Sequence, residues 1–312
     1  MSWILTPDQF ALVWARTDGD RIPYPLAVRL SARDSVERAA QLAELNAWCD
    51  RTLDADLEAA LRILGRPDLS IEVFGQGGGA GGPSDMVSSR GASGYGGTRL
   101  SGDESGAVRT EVAGRLGGAR GQSGPVIGSG RSGAVVEHNR PLPSEEPIRV
   151  LGAVAGNIAV VVVQEPGAAP DRGARLRISV GGVGSLAARV VRALPPVAAG
   201  GGPRLGAPLD RVVEDGRDLV TVPVEGPTMS TRIRRLLVRR RDGLGQIVVS
   251  VHRDGRPRPF GVLCWIDVTG DGRYTVRTGK HVDIEAVTAD GFTAALRTVI
   301  TAGRRTAAYA DR

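Results

Sequence analysis

The chain has little of what catalysis, metal binding or membrane insertion requires. Of its 312 residues only 4% are aromatic, and there are two cysteines and three histidines. Cys49 and Cys264 lie far apart inside apolar patterns, which excludes a paired-cysteine metal or redox motif. Buried free thiols are the plain reading, with a disulfide as the alternative. His138, His252 and His281 share no ligand-like spacing, so neither a metal centre nor imidazole acid–base chemistry is expected. No serine elbow or phosphate-binding loop occurs. We therefore assign no catalytic, cofactor-binding or metal-ligating residue, and no enzyme is expected. No apolar run reaches the roughly 18 residues of a membrane helix. The opening MSWILTPDQF lacks the basic start and long apolar core of a secretory signal, so a cytosolic protein is expected. Lysine is nearly missing too: 39 of 40 basic residues are arginine, Lys280 being the exception. That bias reflects a GC-rich coding sequence more readily than a selected surface chemistry, and net charge is only +6.

Ordinary globular signals fill the rest. Thr6, Pro7 and Gln9 predict a helix start, and Phe10, Val13 and Trp14 give it one apolar face up to about Arg16. After Pro-Tyr-Pro at 23–25, Leu26–Leu30 reads as a short strand. Asp34 with Glu37 caps a second helix carrying Leu42, Leu45 and Cys49. A third, from about Asp54 to Leu64, stops at Gly65, and Leu69–Phe74 alternates as a strand.

Residues 75–147 differ, with 20 glycines between Gly75 and Gly133, no Trp or Phe, and only Tyr95 as an aromatic. So little apolar surface does not offset the entropy of ordering, and the segment reads as a disordered insertion. Closing so long a loop costs roughly 2–3 kcal/mol more than a short one. Its flanks can therefore still pair.

Order resumes with a hairpin, Ile148–Val154 and Ile158–Gln164 around Gly156-Asn157, then a strand at Ala174–Val180 and a helix at Ser185–Leu194. Pro195, Pro196 and Gly200–Gly202 end that helix. Another helix, about Ser230–Arg241, precedes a three-strand meander within Gly243–Val276: Gln246–Val251, Phe260–Asp267 and Tyr274–Val276. Its turns, Arg-Asp-Gly-Arg at 253–256 and Gly-Asp-Gly-Arg at 270–273, carry residues that tolerate positive φ. A strand at His281–Val287 and a helix from about Thr288 to Ile300 follow. Hairpin connections favour an α+β fold with helices around an antiparallel sheet. Both halves run helix, meander, helix, which suggests pseudo-symmetry.

Three motifs invite sharper readings. Gly182-Val183-Gly184-Ser185-Leu186-Ala187 matches a dinucleotide-binding GxGxxA, but hairpin-connected strands precede it and no second parallel strand follows. An ordinary strand-to-helix turn accounts for it. Asp267, Thr269 and Asp271 imitate the start of an EF-hand loop, yet Thr278 stands where the bidentate Glu belongs, so a hairpin turn is expected. Residues 228–260 hold nine arginines against Asp242 and Asp254. Such a segment could track nucleic-acid phosphates, although no aromatics interleave for base stacking. Nucleic-acid binding is the alternative reading of the chain.

With these residues laid out, the chain resembles the EspG family of ESX (type VII) secretion-associated proteins. The match runs through LTPDQFALVW…RIPYPLAV (Leu5 to Val28), AALRILGRPDLSIEV (Ala59 to Val73) and GQIVVSVHRDGRPRPFGVLCWIDVTGDGRYTV (Gly245 to Val276), with weaker support from ALPPVAAGGGPRLGAPL at 193–209. The resemblance implies one domain over 1–312. Its halves would be 1–220, containing the 75–147 insertion, and 221–312. It also implies a central antiparallel sheet flanked by two helical bundles related by a pseudo-two-fold. The implied function is that of a cytosolic chaperone, monomeric or weakly dimeric, that grips the helical tip of the PPE protein in PE–PPE heterodimers. Helix-in-groove binding relies on a few buried anchors. The expected partner-binding residues are Phe260, Leu263 and Trp265 on one strand, with the Arg235/Arg239 helix face. The family has a far shorter connection where 75–147 stands.

Overall fold

Local capping builds the first helices as their sequences predict. The computed structural model describes residues 1–17, 19, 21–78, 145–213 and 226–310; most of the expected 75–147 insertion lies outside them. Thr6 Oγ1 accepts from the Gln9 N–H (3.2 Å) while Gln9 Oε1 accepts from the Thr6 N–H (2.9 Å), a reciprocal box. It opens α1 (Pro7–Thr17), which buries Phe10, Val13 and Trp14. Asp34 and Asp54 cap α2 (Ser35–Thr52) and α3 (Ala55–Gly65) by accepting from Glu37 N–H at 2.8 Å and Leu57 N–H at 2.7 Å.

The strands are β1 (Ser2–Leu5), β2 (Leu69–Gly78), β3 (Glu145–Ala155), β4 (Ile158–Ala169), β5 (Arg172–Gly182), β6 (Leu205–Pro208), β7 (Arg241–Arg253), β8 (Arg256–Val268), β9 (Gly272–Thr278) and β10 (His281–Ala286). They form a single sheet in the order β1-β5-β4-β3-β2-β7-β8-β9-β10-β6. Every named strand pair is antiparallel. The remaining helices are α4 (Leu186–Arg192), α5 (Leu209–Val213), α6 (Met229–Leu237) and α7 (Ala289–Ala310).

Outward from the β2–β7 seam, both sides repeat one plan: four consecutive strands (β2 to β5 and β7 to β10), then a short strand that precedes them in the chain. This order is compatible with the expected pseudo-two-fold. Strand β6, which lies within the expected 1–220 half, pairs with β10 of the expected 221–312 half. One sheet face carries a core common to both halves, where Leu186, Val190 and Leu194 meet Phe292, Leu296 and Ile300 over the central strands. The opposite face is covered in two places. Helices α1–α3 pack on β3–β5, and α5 and α6 pack on the β8–β10 and β6 side.

Several boundaries differ from expectation for identifiable reasons. Segment 26–30 is not a strand, because the Gln164 side chain takes up the backbone of Ala27 (2.8 and 3.1 Å). Gly75, Gly77 and Gly78 continue β2, and Glu145–Pro147 already belong to β3. Helix α6 ends at Leu237, and β7 starts by Arg241. Helix α7 runs on to Ala310. The four-residue edge strands β1 and β6 are too short to announce themselves locally.

Candidate functional site

Strand parity decides which side chains face outward. On β2, Leu69, Ile71 and Val73 enter the shared core, so Ser70, Glu72, Phe74 and Gln76 project from the other face. On β7 the buried Ile247, Val249 and Val251 leave Leu244, Gln246 and Val248 on that outer face. On β8, Leu263 and Trp265 go inward while Val262 and Cys264 go outward. Register aligns these outer residues into rows. Phe74 stands between Arg149 of β3 and Gln246 of β7, and Gln246 opposes Cys264. In the next row Glu72 stands between Leu151 and Val248, and Val248 opposes Val262. Directly opposed residues of antiparallel strands share a face and touch.

The two helix groups stop short of this strip. Phe74 remains 37% exposed, Leu244 42% and Val262 48%. Tyr24, 56% exposed, stands beside them with its ring centroid 6.1 Å from that of Phe74. Adjoining exposed apolar residues on a sheet face are a recognised mark of an interaction surface. The strip holds one carboxylate, Glu72, which forms no ion pair among the described residues. Burial pushes its pKa above the usual carboxylate value. Tyr24 is also raised, by burial first and then by the Glu72 charge. Arg149 forms no ion pair with Glu72 among the described residues; its guanidinium donates to the carbonyl of Pro170. Burial lowers the Arg149 pKa and the Cys264 thiol is raised by the same cause.

The expected partner-binding residues fall in different places. Leu263 and Trp265 are corrected to core: they are 5% and 1% exposed, with Trp265 edge-on to Phe292 at 6.2 Å. Phe260 is 40% exposed but lies on the α7 side, near Gly303. Arg235 is exposed on α6, whereas Arg239 lies beyond the end of that helix and pairs with Asp271 at 2.5 Å. No single helix face unites the two arginines. The strip residues Glu72, Phe74, Leu244, Val248 and Val262 were not expected. Both faces of β8 are apolar, so alternation alone could not choose between them. The Phe292, Leu296, Ile300 stripe of α7 was the available clue to which face is covered.

The other motifs are structural. Arg273 grips Asp267 through two hydrogen bonds (2.7 and 2.8 Å) and donates to Pro195 O at 3.0 Å, with both side chains buried. Gly182–Ala187 is a strand end, one 3₁₀ turn and the start of α4, whose Leu186 and Ala187 are buried. His252 Nε2 lies 2.9 Å from Ser70 Oγ, and His138 lies outside the described residues. The nine arginines separate, because β7 is 13 residues long. At roughly 3.4 Å per residue its ends lie about 40 Å apart, with Arg241 at one and Arg253, Arg256 and Arg258 at the other. Arg253 reaches the carbonyl of Thr306 (3.4 Å). Among the described residues no helix is long and apolar enough to cross a membrane.

A family model described as the EspG family matches residues 6–119 and 130–298. The fold is similar to a chain in the structure of the Mycobacterium tuberculosis type VII secretion system chaperone EspG5 in complex with the PE25-PPE41 dimer. The TM-score is 0.53 at 14% identity, covering 96% of each chain. At that identity the likeness is one of fold. A search of curated proteins gives no sequence match.

Proposed function

This chain belongs to the EspG family, and we propose on that basis that it is a type VII secretion chaperone that binds a PE–PPE heterodimer by the helical tip of the PPE protein. The observation that carries the reading is the uncovered apolar strip of β2, β7 and β8 between two helix groups. A helical tip laid there would bury Phe74, Leu244 and Val262 against its own apolar residues. At about 25 cal/mol per Å² such burial supplies the driving force, and no catalytic group is needed. Covering the tip would keep an aggregation-prone surface from water until the secretion machinery takes the cargo, which places the chaperone in the cytosol.

Co-expression with each PE–PPE pair of its own genome tests this. One pair is expected to co-purify through size-exclusion chromatography, and Val262→Asp is expected to abolish that while leaving the free chain folded. Failure of every pair to co-purify would overturn the reading.

A further inference from the structure

We propose that the docking tip carries a lysine or arginine that pairs with Glu72, and that this single ion pair orients the tip on the strip and selects the cargo. The inference rests on the strip being the docking surface. Glu72 sits inside it, between Val248 on one side and Leu151 on the other, with Phe74 two residues along β2 on the same face. Tyr24, from the segment after α1, lies close enough to feel the Glu72 charge, and Arg149 of β3 stands one row away, opposite Phe74. Neither discharges it: Arg149 forms no ion pair with it among the described residues and donates instead to the carbonyl of Pro170, and Tyr24 is a neutral phenol. Glu72 is only part-buried, so solvent reaches its carboxylate in the free chain. A docked tip removes that water. An apolar tip would leave a desolvated, unpaired charge, the costliest outcome for a polar group at an interface. A tip with a cation at the matching position instead gains a charge-assisted hydrogen bond inside an apolar surround. The penalty for every tip lacking the cation is what makes Glu72 selective, since discrimination comes from the rejected partners as much as from the accepted one.

Calorimetry on the co-purifying PE–PPE heterodimer tests this with Glu72→Gln, which keeps the volume and removes the charge. Expected is a Kd at least about tenfold weaker, with thermal unfolding of the free chain unchanged or raised. Substituting each tip lysine and arginine by methionine should reveal one that weakens wild type comparably yet costs the Glu72→Gln variant almost nothing further. A Kd for Glu72→Gln within twofold of wild type, or tighter, overturns the inference, as does a tip in which no cation couples to Glu72. The docking reading fails separately. If Val262→Asp and Phe74→Asp leave binding intact, the strip is not the surface and the inference falls with it. If those two abolish binding while Glu72→Gln does not weaken it, the surface stands and only the ion pair is wrong.

Discussion

At the residue scale, Trp265 shows how one side chain dictates the composition of distant strands. Its ring lies against Gly75 and Gly245, which are opposed across the β2–β7 seam. A Cβ at Gly245 would stand 2.3 Å from the Trp265 ring and 2.8 Å from the Gly75 Cα, and a Cβ at Gly75 would meet the Leu244 carbonyl at 2.6 Å. None of this has a local signal. Gly75 reads as the start of a glycine-rich insertion because the residue that requires it is 190 positions away in the chain. We expect Gly245→Ala to destabilise the protein by about 1–3 kcal/mol through overpacking. The readout is a lower denaturant midpoint with unchanged slope. Adding Trp265→Phe should return part of the loss, because the two sites share one contact. A fully additive double variant would show that the ring is not what excludes the methyl group.

Elements were more legible than residues. The capping box at Thr6, the N-cap at Asp34, and the positive φ of Asp254 (52°) and Gly255 (71°) in the β7–β8 turn follow from residue type alone. What those elements present was not legible. An apolar β-strand such as Val262–Ile266 offers two apolar faces, and the helix that covers one of them comes from elsewhere in the chain. Cys264 reports on this choice, because it stands half-buried on the outward face while Cys49 is fully buried under α1–α3. One thiol per native chain should therefore react with an alkylating reagent. Its rate should climb with pH through a thiol pKa that burial has raised, since the thiolate is the reactive form. Docking of the proposed PE–PPE partner should slow that reaction at fixed pH. Equal labelling of both cysteines in the native chain would contradict the outward placement of this face, and a rate indifferent to the bound partner would contradict docking on it.

At the scale of the whole molecule, the sheet joins two halves with the same strand order, and the first hairpin of one differs from that of the other. The second half links β7 to β8 with Asp254-Gly255, while the first links β2 to β3 through residues 79–144. Gly78 and Glu145, at the two ends of that connection, are paired directly across the ladder. A two-residue turn can therefore bridge them. We expect replacement of 79–144 by Asn-Gly to preserve the fold and one cooperative unfolding transition. The loop-closure relation puts the gain in stability at up to about 3 kcal/mol. Loss of cooperativity, or a drop in melting temperature, would show that the connection contributes contacts the sheet needs.

Local chemistry was enough to settle the α+β class, the hairpins, the helix starts and the poverty of catalytic groups, because caps, turns and period-two alternation depend on neighbours within a few residues. The exposed apolar strip emerges only when the ten strands are ordered side by side. Exposure is a property of what covers a surface, and the helices that cover or spare each face of β2, β7 and β8 are brought there by pairings across the entire chain. The same apolar alternation thus yields a buried Trp265 and an exposed Val262 three residues apart in position, and the sheet assigns their sides.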